Sequence, residues 1–206
     1  MDQNTFDAFI AEGYNRIPVS RTILADMETP LSAYQKFAAG PFSFLFESVQ
    51  GGEKWGRYSI IGLPARRLLR VEGNVVAEIL DGVVTSGEET EDPLRWIESY
   101  HDNFRSAPVP GLPVFHGGLV GYFGYDTVRL TEAKLKYSCP PDTLGVPDIL
   151  LMVAEEVLVF DNLAGTLTIV VNANAETSGA FAAAVSRLEA IAKQLSKPGP
   201  HLEAID

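Results

Sequence analysis

Between Ser43 and Ser86 the chain is written in short β-rich runs, "SFLFESV", "RYSIIGL", "RLLRV", "VVAEIL" and "VVTS". Two of the gaps carry residues that tight hairpins demand. Glu72-Gly73-Asn74 and Asp81-Gly82 supply positive-φ positions, which match a two-residue turn to the right-handed twist of its flanking strands. The stretch is predicted to be an antiparallel meander, and a chain committed to one must find helices or further strands to cover its apolar face.

The flanking sequence offers both. Thr5 is placed to cap a short helix whose Phe6, Phe9 and Ile10 share one face, with Gly13 ending it, and "YNRIPVS" reads as extended. Asp92 followed by Pro93 is a helix start with a mechanism. The carboxylate accepts orphan amide hydrogens, and proline at the first helical position gives up no needed donor. Leu94, Ile97, Tyr100 and Phe104 then mark one face. After the proline-rich "APVPGLP", the runs "DILLMVAEEVLVFD" and "GTLTIVVNA" flank a hairpin at Asn162-Leu163-Ala164-Gly165 and are too apolar for anything but central strands. Phe181, Val185, Leu188 and Ile191 form one stripe of a closing helix from about Ser178 to Leu195. The expected class is α+β: antiparallel sheet with helices at the ends and one between strand groups. Residues 1–195 are carried as one region and "SKPGPHLEAID", 196–206, as a linker.

Composition narrows the function. Across 206 residues, 46% hydrophobic, the formal charge of -11 includes no lysine- or arginine-rich run, so nucleic acid and anionic membrane surfaces are repelled. No apolar stretch approaches the roughly 20 residues that span a bilayer. A single cysteine, Cys139, excludes an internal disulfide and a cysteine-based metal cage, and the amino terminus lacks the layout of a secretory signal. A reducing cytoplasm is the expected compartment.

Most candidate chemistry has a plainer reading. His101, His116 and His201 are scattered, with no ligand pair among them, and no nucleophile elbow accompanies Cys139. "GGLVGYFGYD" lacks both the P-loop lysine and the dinucleotide G-x-G-x-x-G spacing. Gly117, Gly118, Gly121 and Gly124 are expected to let backbones approach closely, with Tyr122, Phe123 and Tyr125 filling the space and Asp126 capping a turn. Glu155 and Glu156, adjacent in a strand, face opposite ways and cannot serve one substrate. No catalytic residue and no metal site is assigned.

"FLFESVQGGEKWGRYSII" is different. If its runs pair around "QGGEKWG", Ser48 and Arg57 lie near a hairpin mouth whose walls carry Phe44, Leu45, Phe46, Tyr58 and Ile60. A free amino acid with a large side chain needs this combination: a cation for its carboxylate, an acid such as Glu47 for its ammonium, and apolar walls. A solvated loop between strands is the alternative.

The same stretch, with "LADMETPLSAYQKF", "FHGGLVGYFGYDTVR" and "GVPDILLMVAEEVLVFDN", resembles the amino-terminal region of the anthranilate synthase component I family. The resemblance covers nearly the whole chain. It implies an enzyme that makes anthranilate and pyruvate from chorismate, with ammonia delivered by a glutaminase subunit, component II, in tryptophan synthesis. It also implies that the Mg²⁺-binding acids and catalytic groups lie in a larger chorismate-binding region that this chain does not contain, so no cofactor is expected here. The family's inhibitor, L-tryptophan, is held partly by residues of that larger region and partly by a Leu-Leu-Glu-Ser motif, which carries onto Leu45, Phe46, Glu47 and Ser48, with Phe46 in place of the second leucine. A downstream basic residue aligns with Arg57, Lys54 being the alternative. The chain alone is then expected to be inactive and to carry a feedback site, with an apolar patch that self-association could cover. A free-standing amino-acid-binding module and the same region of an aminodeoxychorismate synthase are the competing readings.

Overall fold

A computed structural model describes residues 1–37, 40–50, 54–135 and 142–198, which divide into two compact units, each with its own five-stranded sheet. The first unit comprises 1–65, 105–117 and the chain from 154 onward; the second comprises 66–104 and 118–153.

In the first unit, helix α1 (Gln3–Ala11) leads into strand β1 (Arg16–Leu24), then α2 (Pro30–Phe37), β2 (Phe44–Gln50) and β3 (Lys54–Gly62). The cap of α1 is Asp2, not Thr5: its carboxylate accepts the Thr5 N–H at 2.9 Å, three residues into the turn. Strands β9 (Glu156–Asp161) and β10 (Thr166–Asn174) complete the sheet, in the order β1-β10-β9-β3-β2 with every neighbouring pair antiparallel. Helix α4 (Ala180–Leu195) closes the unit. It starts two residues later than expected because Gly179 sits at φ +71°, a left-handed position outside the helix.

The helix-covered face of this sheet is the core. Ile61, Leu158, Phe160, Leu167, Ile169 and Val171 pack with Phe6 and with Ala184, Leu188, Ile191 and Leu195 of α4. Those four helix positions recur at spacings of three and four, the period that holds one face of a helix against a sheet. At the far end of α4, Lys36 of α2 pairs with Glu28 and donates to the Leu195 carbonyl at 2.6 Å, occupying an acceptor that the helix itself cannot satisfy.

In the second unit, strands β4 (Arg67–Glu72), β5 (Val75–Leu80) and β6 (Val83–Glu89) are joined by the two anticipated hairpins, with Gly73, Asp81 and Gly82 at φ +58°, +51° and +80°. Helix α3 (Pro93–Asp102) follows, capped by Asp92, which accepts the Arg95 N–H at 3.0 Å. Strands β7 (Gly118–Phe123) and β8 (Ile149–Ala154) give the order β6-β5-β4-β8-β7. Leu69, Val71, Val76, Ile97, Ile149 and Leu151 form its core.

The expected single meander is therefore corrected. β2 and β3 belong to one sheet and β4–β6 to the other, the break falling at Leu63-Pro64-Ala65, where the Leu63 N–H turns to the Glu156 carbonyl and proline offers no donor. The run "DILLMVAEEVLVFD" likewise splits at Glu155 into β8 and β9, in different sheets. Of the glycine-rich stretch, Gly121 does admit close backbone, since a Cβ there would stand 2.0 Å from the Leu150 carbonyl oxygen. Its aromatics do not fill space: Tyr122, Phe123 and Tyr125 are exposed. Asp126 pairs with Arg129 across a 3-10 turn, 2.7 Å from Nε, instead of capping it.

Candidate functional site: the hairpin of β2 and β3

Strands β2 and β3 pair from Phe44 and Gly62 to Glu47 and Ser59, break register, and resume at Val49 and Trp55. Ser48 alone spans the break on β2, against Gly56, Arg57 and Tyr58 on β3. The geometry depends on one glycine. A Cβ on residue 56 would lie 1.6 Å from the Ser48 carbonyl oxygen and 2.5 Å from the Ser48 Cβ, so no other residue fits without moving the strand. The bulge thus presses Ser48 onto the segment that carries Arg57.

Alternation distributes the remaining candidates. Leu45 and Glu47 pair with Ile61 and Ser59 on the helix-covered face, where Leu45 packs against the core. Phe46 pairs with Ile60 on the other face, and Phe44 packs against Phe46 with the rings tilted and their centroids 4.8 Å apart. Phe44, Phe46, Tyr58 and Ile60 therefore share a wall that Leu45 does not join. Glu47 and Ser48 are exposed, and no hydrogen bond joins their side chains to another described residue. The side chain of Lys54 and residues 51–53 lie outside the described residues, as do Cys139, His201 and most of the expected linker, 199–206.

Arg57 is engaged. Its Nη2 and Nε donate to Asp161 Oδ2 at 2.8 and 3.1 Å, and its guanidinium carbon lies 4.9 Å from the Tyr58 ring centroid. The pairing holds the Asp161 carboxyl below the usual carboxylate range and raises Arg57 further above its own. The next residue, Asn162, donates from Nδ2 to the Gly56 carbonyl at 3.1 Å and to Ser59 Oγ at 3.3 Å. Sequence reasoning treats 162–165 as a turn and assigns nothing to Asp161. No local signal ties them to a strand about a hundred residues earlier.

No family model matches the chain. It is 52% identical over 198 residues to anthranilate synthase component 1 of Pseudomonas putida, a match covering 96% of this chain and 40% of that protein. The same protein of Neisseria meningitidis serogroup B is 43% identical over 198 residues, covering 95% and 40%. The chain belongs to the anthranilate synthase component 1 family. A crystal structure of anthranilate synthase component I from Streptococcus pneumoniae shares the fold with a TM-score of 0.56 and 27% identity, over 86% of this chain and 37% of that one. The chain spans about two fifths of the length of the curated relatives it matches.

Among the described residues, no group of three or more His, Cys, Asp or Glu could hold a metal ion, and no helix is long and apolar enough to cross a membrane.

Proposed function

We propose that this chain is the amino-terminal, regulatory part of an anthranilate synthase component 1 and carries its L-tryptophan feedback site. The complete enzyme makes anthranilate and pyruvate from chorismate, taking ammonia from a glutaminase subunit, and works in the cytoplasm. The Mg²⁺ that the family implies does not fit the described residues here, which offer no cluster of ligands. We place it, with the catalytic groups, in the chorismate-binding region that makes up the rest of the relatives' length.

The observation that carries the site is the register break, which sets Ser48 against Gly56 and beside Arg57 at the mouth of an aromatic hairpin. Arg57 takes the amino acid's carboxylate as a charge-assisted pair, Glu47 takes its ammonium, and Ser48 lies between them at the polar end. Leu45 backs the motif from the core side of β2, and Phe46, half exposed on the face opposite Glu47, adds apolar surface at the strand's edge. Bound tryptophan favours an arrangement of the enzyme that binds chorismate poorly, a coupling on the order of 1 to 3 kcal/mol. Catalysis itself draws on no residue of this chain, so the isolated chain is inactive and binds tryptophan weakly.

The test is inhibition of the complete enzyme carrying Ser48→Phe, measured against that variant's own uninhibited rate. A phenylalanine side chain at this exposed position crowds the polar end of the site beside Arg57, and the concentration of tryptophan for half-inhibition should rise at least tenfold. Undiminished sensitivity refutes the site. Tight tryptophan binding by the isolated chain would instead favour a free-standing sensor.

A further inference from the structure

The turn after β9 reaches back to β3 with two consecutive residues, and the details assign them different tasks. Asp161 Oδ1 accepts the N–H groups of Leu163 and Ala164, both at 3.1 Å. The carboxylate is therefore fixed by its own turn, whether or not Arg57 is present. Its Oδ2 engages the Nε and Nη2 side of the guanidinium, and the Tyr58 ring supports the guanidinium from one face. The Nη1 side of the fork makes no hydrogen bond to a described residue, on a side chain 56% exposed. An arginine held at one edge and open at the other is pre-organised for a second carboxylate, because the fork loses little freedom on binding. Asn162, meanwhile, fixes the bulge itself: its backbone N–H donates to the Arg57 carbonyl at 2.8 Å and its amide to Gly56 and Ser59.

We propose that Asp161 is a positioning residue that aims the open edge of Arg57 at the carboxylate of the bound amino acid, with Asn162 holding the strand in register beneath it. The inference rests on the reading of Arg57 as the carboxylate partner. It also makes a counter-intuitive prediction about sign. Asp161 is an anion beside an anion-binding site, so on charge alone its removal should tighten binding of a carboxylate; as an orienting group, its removal should weaken it.

Asp161→Asn separates the two. Asparagine keeps an oxygen for the Leu163 and Ala164 amides and nearly the same shape, but it loses the charge that orients the fork. In the complete enzyme, the tryptophan concentration for half-inhibition should rise roughly three- to tenfold, the lower end reflecting solvent screening at an exposed pair. Arg57→Lys, which keeps the charge but has no fork, should behave alike. Tryptamine, which has no carboxylate, provides the control for general loosening. Its competition against tryptophan should be weakened far less than tryptophan binding itself, whereas a merely structural defect weakens both equally. An unchanged or lower half-inhibition concentration in Asp161→Asn, or equal losses for tryptamine and tryptophan, overturns the assignment. Ser48→Phe tested in parallel distinguishes the two levels. If it abolishes inhibition while Asp161→Asn does not matter, the positioning role alone is wrong; if it leaves inhibition intact, the site reading fails and takes the positioning role with it.

Discussion

Gly56→Ala is the sharpest test of the hairpin geometry. The added methyl would stand 1.6 Å from the Ser48 carbonyl oxygen and 2.3 Å from its carbonyl carbon, where ordinary contact begins near 3.4 Å, so β2 must withdraw by nearly 2 Å. Two routes are open. The strands can stay paired under strain, as an overpacked core does, at about 1 to 3 kcal/mol. Alternatively they can unzip beyond Glu47, losing the Val49 to Trp55 and Gln50 to Lys54 pairings; at the surface water takes over the freed groups, so each hydrogen bond costs about 0.5 to 1.5 kcal/mol. Both routes give a loss of about 1 to 3 kcal/mol, read as a lower urea midpoint by circular dichroism. Gly87→Ala is the matched control. It also lies in a strand, but its Cβ would sit 3.5 Å from the Val76 carbonyl, an ordinary contact, and the change should be neutral or slightly stabilising through the unfolded chain. A loss below about 0.5 kcal/mol for Gly56→Ala, or an equal loss for Gly87→Ala, would refute the reasoning, the ordinary range for surface substitutions being about that size.

Other substitutions probe the remaining structure. Leu158→Ala opens a void in a position with no solvent exposure and should cost about 2 to 5 kcal/mol in urea denaturation. Asp92→Ala removes the cap of α3 and should cost about 1 kcal/mol by the same measurement. Arg187→Ala breaks a two-pronged pair with Glu156, both contacts 2.7 Å, but the arginine is 43% exposed and the loss should stay under about 1 kcal/mol and shrink further in high salt. The lowered pKa of Asp161 fixes the sign of a pH effect. A carboxylate depressed by folding contributes stability that is complete above its unfolded pKa, about 4, and is lost as pH falls through the lower folded value. The stability gap between the native chain and Asp161→Asn should therefore be constant above about pH 5 and narrow below about pH 4; a gap that widens with acid contradicts the pairing.

Features set by adjacent residues were legible in the sequence. The Gly73 and Asp81-Gly82 turns, the Asp92-Pro93 start of α3 and the apolar stripe of α4 each follow from conformational preference or helical period, and each stands where those rules put it. What local rules cannot decide is which strand pairs with which. Nothing in "DILLMVAEEVLVFD" marks Glu155 as the point where the chain changes sheets, because a buried run of apolar residues looks the same in one long strand or two short ones. The candidate site divides in the same way. Glu47, Ser48 and Arg57 were visible from residue type and resemblance, whereas Asp161 and Asn162 act on them only through the pairing of β9 with β3. Gly56 was visible only as part of the "QGGEKWG" connection; its close approach to Ser48 depends on the register shift that the fold imposes.

Equilibrium dialysis of radiolabelled L-tryptophan against the complete enzyme, without chorismate, addresses the proposed regulatory site most directly. The native protein should bind saturably at one site per chain, and the Ser48→Phe protein, equally folded by circular dichroism, should show no saturable binding. Equal binding by the two proteins would place the tryptophan site elsewhere than the β2–β3 hairpin.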